Sequence, residues 1–306
     1  MARRIGALVA LAALVAGALR VGGVLFGAND TSAAGVTQPT SPPTATEGTA
    51  GSADVVSGGS TIPVSNVVPA TTVAPADLTP SVPTAADPAV VLIAGDSDAG
   101  TFGPYLETIL KETGVVKTQL DYKVSSGLSR PDFFDWPAHL QSTIPSVNPD
   151  IVVLTFGGND AQGLTDLSGN FIVQQPTGEG DEEWRAEYGK RVGEVMEFLS
   201  SQGRTLVWVG IPNDNNPEVT ARMKVQDEVV REQVAAHPGV IFVDTWKRFS
   251  GIDGNWAEYV IDPRDGQGKD VRADDGFHLN QAGAEILALD IAEVVRTELV
   301  NRGATL

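Results

Sequence analysis

Residues 89–97 read AVVLIAGDS, and residues 151–160 read IVVLTFGGND. Each is a short, β-branched apolar run that stops at glycine and a polar cluster. Five or six apolar residues without polar alternation suit a strand buried on both faces, as in the middle of a parallel sheet. Working outward, 116–123, 206–209 and 240–243 supply three further short strands. Between them lie helical patterns at 102–111, within 132–146, and at 181–199, 217–236 and 281–299. Asp181, Pro217 and Asn280 stand where starts are expected, and Pro137 marks a break or a start. Residues 163–180 read as an insertion or a substrate-facing loop. Strands alternating with helices predict an α/β three-layer domain around a central, parallel five-stranded sheet.

In such a sheet, functional groups collect beyond the carboxyl ends of the strands. That rule puts Ser97, Gly127 and Asn159 on one rim, after the first three strands. The segment DDGFH, ending at His278, precedes the last helix and can reach the same rim. A serine, a histidine and a carboxylate brought together can perform nucleophilic acyl chemistry. Ser97 would attack a carbonyl carbon and His278 would accept and return the proton. Asp275, with Asp274 as the alternative, would orient the imidazole. The backbone N–H groups of Ser97 and Gly127 and the side-chain amide of Asn159 are candidate donors to the oxyanion. Asp96 and Asp160 read as carboxylates that fix their loops by accepting backbone hydrogen bonds.

The blocks AGDS around Ser97, SSGLS around Gly127, GGND with Asn159, and DDGFH with Asp275 and His278 occur in order, each at a predicted element boundary. With these four blocks the chain resembles the SGNH, or GDSL-type, serine hydrolase superfamily over roughly residues 89–300. The resemblance implies a flavodoxin-like fold and an ester-hydrolysing serine enzyme with no cofactor and no metal. Within that superfamily the chain is similar to bacterial envelope members related to sugar O-acetyl esterases and transferases. This implies removal of a short O-acyl group, acetyl foremost, from an envelope carbohydrate. Acyl transfer to a sugar through the same serine and a catalytically inactive envelope-binding module are the alternatives. One departure stands beside the nucleophile, where the family commonly has an apolar residue and this chain has Asp98. A carboxylate there would favour the charged histidine or oppose the oxyanion, unless it points to solvent or meets a cationic substrate group.

The amino-terminal third is built differently. Met-Ala-Arg-Arg precedes an uncharged run from Ile5 to Leu19, and Arg20 interrupts the pattern before it resumes. Residues 1–28 are expected to be a signal peptide or a single membrane anchor. Residues 29–88 are expected to be a disordered stalk, because Thr, Ser, Pro, Ala and Gly dominate and Lys and Arg are absent from 31–88. The working domain is then 89–306, placed outside the cytoplasm. The 306-residue chain has no cysteine, which excludes disulfides, thiolate metal sites and cysteine nucleophiles. Its formal charge is −18; the first 88 residues hold three arginines and five acidic residues, leaving 18 basic and 34 acidic residues beyond. That balance opposes binding to nucleic acid.

Other chemistry-bearing residues carry weaker signals. His139 and His237 read as helix-surface residues, since the three histidines of the chain form no close ligand pair. Asp262, Asp265 and Asp270 lie in a polar, hairpin-like stretch that lacks the calcium-loop pattern. Trp256 and Tyr259, or Phe133, Phe134 and Trp136, are aromatic candidates for packing or for a substrate cleft.

Overall fold

In a computed structural model, which describes residues 81–306, the run at 89–95 is the strand from which the sheet is laid out. The expected membrane segment and the stalk as far as residue 80 lie outside the described residues. The chain proceeds β1 (Ala89–Gly95), α1 (Ser97–Lys111), β2 (Val116–Tyr122), α2 (Trp136–Val147), β3 (Ile151–Thr155), β4 (Leu164–Thr165), β5 (Phe171–Val173) and α3 (Glu182–Ser200). It continues β6 (Thr205–Val209), α4 (Pro217–Ala236), β7 (Ile241–Val243), α5 (Thr245–Arg248), β8 (Tyr259–Ile261), β9 (Gly268–Asp270) and α6 (Gln281–Asn301).

Five strands pair in the order β2-β1-β3-β6-β7, all parallel. The chain leaves β1 toward β2 on one side and returns to β3 on the other, so β1 and β3 flank the point where strand order reverses. A crevice opens there, beyond the carboxyl ends. This is the three-layer arrangement that the alternating pattern predicts, and the flavodoxin-like fold that the family resemblance implies.

The period-two geometry of a strand sorts the core into two layers. Val91, Ile93, Ile151, Val153, Val207 and Val209 face α1 and α6, where Phe102, Leu106, Ile291 and Val295 meet them. Leu92, Ala94, Val152, Leu154, Leu206 and Trp208 face α2, α3 and α4, against Trp136, Leu140, Trp184, Val192 and Val229. Each such large side chain contributes about 1.5–3 kcal/mol on burial. Continuous apolar strands are the consequence of helices on both faces.

Several boundaries differ from the sequence reading. α1 begins at Ser97, five residues before the expected start, because the Asp96 carboxylate accepts the N–H of Asp98 and caps the helix at once. Asp181 occupies the N-cap position of α3 without capping it; its carboxylate turns back to accept the N–H groups of Thr177 and Gly178 in the preceding loop. The insertion holds a small antiparallel pair, β4 with β5, and the polar stretch near 262–270 forms the β8–β9 hairpin. No described helix is long and apolar enough to cross a membrane.

Candidate active site

The turn between β1 and α1 sets the position of Ser97. Gly95 has φ +144°, and a Cβ there would stand 2.1 Å from the Thr155 carbonyl oxygen, so only glycine lets β1 and β3 close at this point. Ser97 then starts α1 with its side chain at the crevice. Its Oγ lies 2.9 Å from His278 Nε2. His278 Nδ1 lies 2.6 Å from Asp275 Oδ2, while Asp275 Oδ1 accepts the backbone N–H groups of Phe277 and His278, both at 3.0 Å. The carboxylate as acceptor assigns the proton to Nδ1 and leaves the Nε2 lone pair facing the serine hydroxyl. Partial burial acts to raise the Asp275 pKa, but the hydrogen bonds from the His278 ring and the two N–H groups outweigh it and hold the carboxyl below its ordinary range. Geometry therefore selects Asp275 over Asp274.

Asn159 sits in a single 3₁₀ turn, Gly158–Asp160, directly after β3. Its Nδ2 donates to Asp96 Oδ2 at 3.1 Å, which leaves a second amide hydrogen for the crevice. Asp96 is fully buried and also accepts the Gly157 N–H at 2.7 Å. Burial drives the Asp96 carboxyl well up, the neighbouring Asp98 pushes it the same way, and the three donors only partly offset this. Gly127 lies in the loop after β2. That loop hangs on Asp160, whose oxygens accept the N–H groups of Leu128 and Ser129 and the Tyr188 hydroxyl. The backbone N–H groups of Ser97 and Gly127 take part in no hydrogen bond among the described residues. Asp96 and Asp160 are thus loop-fixing carboxylates.

Asp98 does not point into solvent. It is buried, and a Cβ on Gly157 would stand 2.3 Å from its Oδ2. Desolvation, reinforced by the Asp275 charge and opposed by Arg272, raises its carboxyl to about 7.

Two supporting residues escaped the sequence reading. Arg272, largely buried, donates to the carbonyls of Ala257, Asn213, Phe277 and Phe249 and to the Asn213 side chain. It thereby ties the loop carrying Asp275 and His278 to the segment after β6 and to the residue that caps the end of α5. Gln226 of α4 donates to the carbonyls of Phe156 and Gly157 and fixes the turn before Asn159. A glutamine on the apolar face of α4, next to Val225, Val229 and Val230, is the sequence signal that would have found it.

The aromatic candidates divide. Trp136 is fully buried, and its indole donates to Ser126, so it packs the core and cannot line a cleft. Phe134 packs on the same core, while Phe133 is exposed. Trp256 donates to the Gly276 carbonyl and stacks near Arg272, and Tyr259 is exposed on the hairpin. His139 pairs with Asp121, and the His237 ring hydrogen-bonds the Gln233 carbonyl at the end of α4. Asp262 pairs with Arg264 and Asp265 with Lys269. Among the described residues no group of three His, Asp or Glu side chains is placed to hold a metal ion.

Residues 90–294 match a protein-family model described as a protein of unknown function, DUF459. No curated protein matches the chain. Among solved structures, a catalytic mutant of an acetylxylan esterase from Geobacillus stearothermophilus is 15% identical with a TM-score of 0.50, over 68% of this chain and 94% of that one. An α/β-hydrolase enzyme from the metagenome of Lake Arreo, Spain, is 16% identical with a TM-score of 0.47, over 69% and 96%. A GDSL-like lipase from Bacteroides thetaiotaomicron is 12% identical with a TM-score of 0.46, over 71% and 92%. The first of these likenesses shows a common fold.

Proposed function

The chain belongs to the DUF459 family and has the SGNH hydrolase fold, and from that premise we propose that it is a serine esterase removing a short O-acyl group, acetyl foremost, from a cell-envelope carbohydrate. The observation that carries the chemistry is the chain of contacts from Ser97 Oγ through His278 to Asp275. Ser97 Oγ adds to the ester carbonyl carbon as its proton passes to His278 Nε2. The carbonyl electron pair moves onto oxygen, where the N–H groups of Ser97 and Gly127 and the free Asn159 amide hydrogen meet it. Collapse expels the sugar alcohol, which takes the proton from Nε2. Water, deprotonated by the same nitrogen, then releases the acid and restores Ser97. Asp275 holds the imidazole tautomer and stabilises the imidazolium in both halves.

The substrate class rests on the surroundings. A cleft of about 560 Å³ lies between the insertion and the start of α4, with Gln175, Thr177, Asn216 and Arg222 among its walls. None of its walls is Ser97, Asn159 or His278; α4 reaches the catalytic turn through Met223, whose side chain lies against Gly158. A broad cleft with polar as well as apolar walls suits a hydroxyl-rich substrate better than an acyl chain. The apolar run at 5–19 and the Lys- and Arg-free segment 31–88 support a location outside the cytoplasm, secreted or anchored. The purified chain should release acetate from a generic acetyl ester, and Ser97→Ala should not. Equal rates in the two proteins would remove the esterase reading. Acetate release from isolated envelope polysaccharide tests the substrate, and protease accessibility in intact cells tests the location.

A further inference from the structure

Behind Ser97, three residues that each carry an unpartnered buried oxygen line one small internal cavity. Asp98 Oδ2, Thr155 Oγ1 and Thr245 Oγ1 have no hydrogen-bond partner among the described residues. Asp98 is 7% exposed, and Thr155 and Thr245 are 0% exposed. They come from three elements: the first turn of α1, the last residue of β3 and the first residue of α5. All three line the same cavity, whose remaining wall is largely apolar, with Phe102, Val209 and Leu287 in it.

Leaving a buried oxygen unpartnered is destabilising, so three in one cavity wall call for a shared partner. The cavity offers about 10 Å³ to the centre of a water-sized sphere, room for one water molecule. Internal waters typically make about three hydrogen bonds to otherwise unsatisfied groups, the number this site supplies. A magnesium or calcium ion would need six or more oxygens, twice the three unpartnered ones. We propose that Asp98, Thr155 and Thr245 form a binding site for a single internal water molecule, which is the hydrogen-bond partner of the Asp98 carboxyl.

The charged groups facing Asp98 are Asp96 from the β1–α1 junction and Asp275 and Arg272 from the segment before α6. Between two negative neighbours and one positive one, with its carboxyl raised to about 7, Asp98 can donate to the water when protonated and accept from it when ionised. The two threonine hydroxyls anchor the water in either state. The site stands whether or not the chain hydrolyses esters.

The test combines a high-resolution crystal structure of the full chain with a carbon-13 NMR titration of the Asp98 carboxyl in the parent, Thr155→Val and Thr245→Val. The expected structure has density for one water within hydrogen-bond distance of all three oxygens. Each valine variant, which keeps the shape and removes one anchor, should move the Asp98 midpoint to higher pH. Hydrogen bonds to the ionised form favour it, and a less firmly held water gives weaker ones. A dry cavity, a metal ion in it, or an unchanged midpoint in both variants overturns the proposal.

Discussion

Gly127 and Asp160 fit together so closely that a Cβ on the glycine would stand 2.0 Å from Asp160 Oδ1. The carboxylate fills the space a side chain would take and accepts the next two backbone N–H groups, at 2.9 and 2.8 Å. One aspartate therefore fixes the loop after β2 relative to the turn after β3. Gly127→Ala should cost about 1–3 kcal/mol of stability, as overpacking does. It should also lower ester turnover by shifting the Gly127 N–H. Urea unfolding and acetyl-ester hydrolysis read the two effects, and a variant unchanged in both would show that the contact is slack.

Ser97 Oγ and His278 Nε2 meet across 181 positions of sequence, and the proposed mechanism makes them one unit. Either Ser97→Ala or His278→Ala should reduce kcat by roughly 10⁴–10⁶-fold, and the double variant should be no worse than the singles. A fluorophosphonate probe should label the parent at Ser97 and leave both single variants unlabelled. Multiplying losses in the double variant would mean that the two side chains work independently.

Asn159 divides its amide between Asp96 and the crevice. Asn159→Ala removes one oxyanion donor, a loss of about 3 kcal/mol in the transition state and roughly 10²–10³-fold in kcat. The ground-state ester gains little from that donor, so KM should change far less than kcat. A rise in KM at constant kcat would assign Asn159 to substrate binding instead.

Arg272 is held by acceptors arranged around a planar fork, and burial lowers its pKa to about 10 without discharging it at neutral pH. Lysine keeps the charge and loses the fork. Arg272→Lys should leave buried carbonyls unpaired, at about 1–3 kcal/mol each. Activity should fall with stability, because the Phe277 carbonyl it holds adjoins His278. Thermal melts alongside kcat test this, and a fully active, fully stable lysine variant would contradict it.

The strands were legible because burial on both faces removes polar alternation, and the rim residues because strand ends concentrate glycine and carboxylates. The start of α1 was not legible, since an apolar pattern begins only at Phe102 while the Asp96 cap already commits the backbone at Ser97. Asp181 misled for the opposite reason: a residue of good capping chemistry spends its carboxylate on the preceding loop. Arg272 and the burial of Asp98 were hidden more deeply. A charged residue in a polar segment gives no periodic signal of burial, and their roles arise from contacts among segments far apart in the chain.

Asp98 should write its burial into the pH dependence of stability. Its carboxyl rises from 3.8 to about 7 on folding, chiefly through desolvation, so between these values the folded state keeps a proton that the unfolded chain has lost. The slope of unfolding free energy with pH is then negative across that window. Its contribution is fully present below about pH 4, declines as pH rises through 7, and is flat above. The difference is on the order of a few kcal/mol. Asp98→Asn stays neutral and escapes the decline. Urea unfolding should therefore show the variant gaining on the parent as pH goes from 4 to 8. Part of the gain comes through Asp96, because Asp98→Asn also removes the neighbouring charge that helps to raise the buried Asp96 carboxyl, and this acts in the same direction. A stability difference between variant and parent that is the same at pH 4 and pH 8 would mean that Asp98 is already ionised at pH 4 in the folded protein.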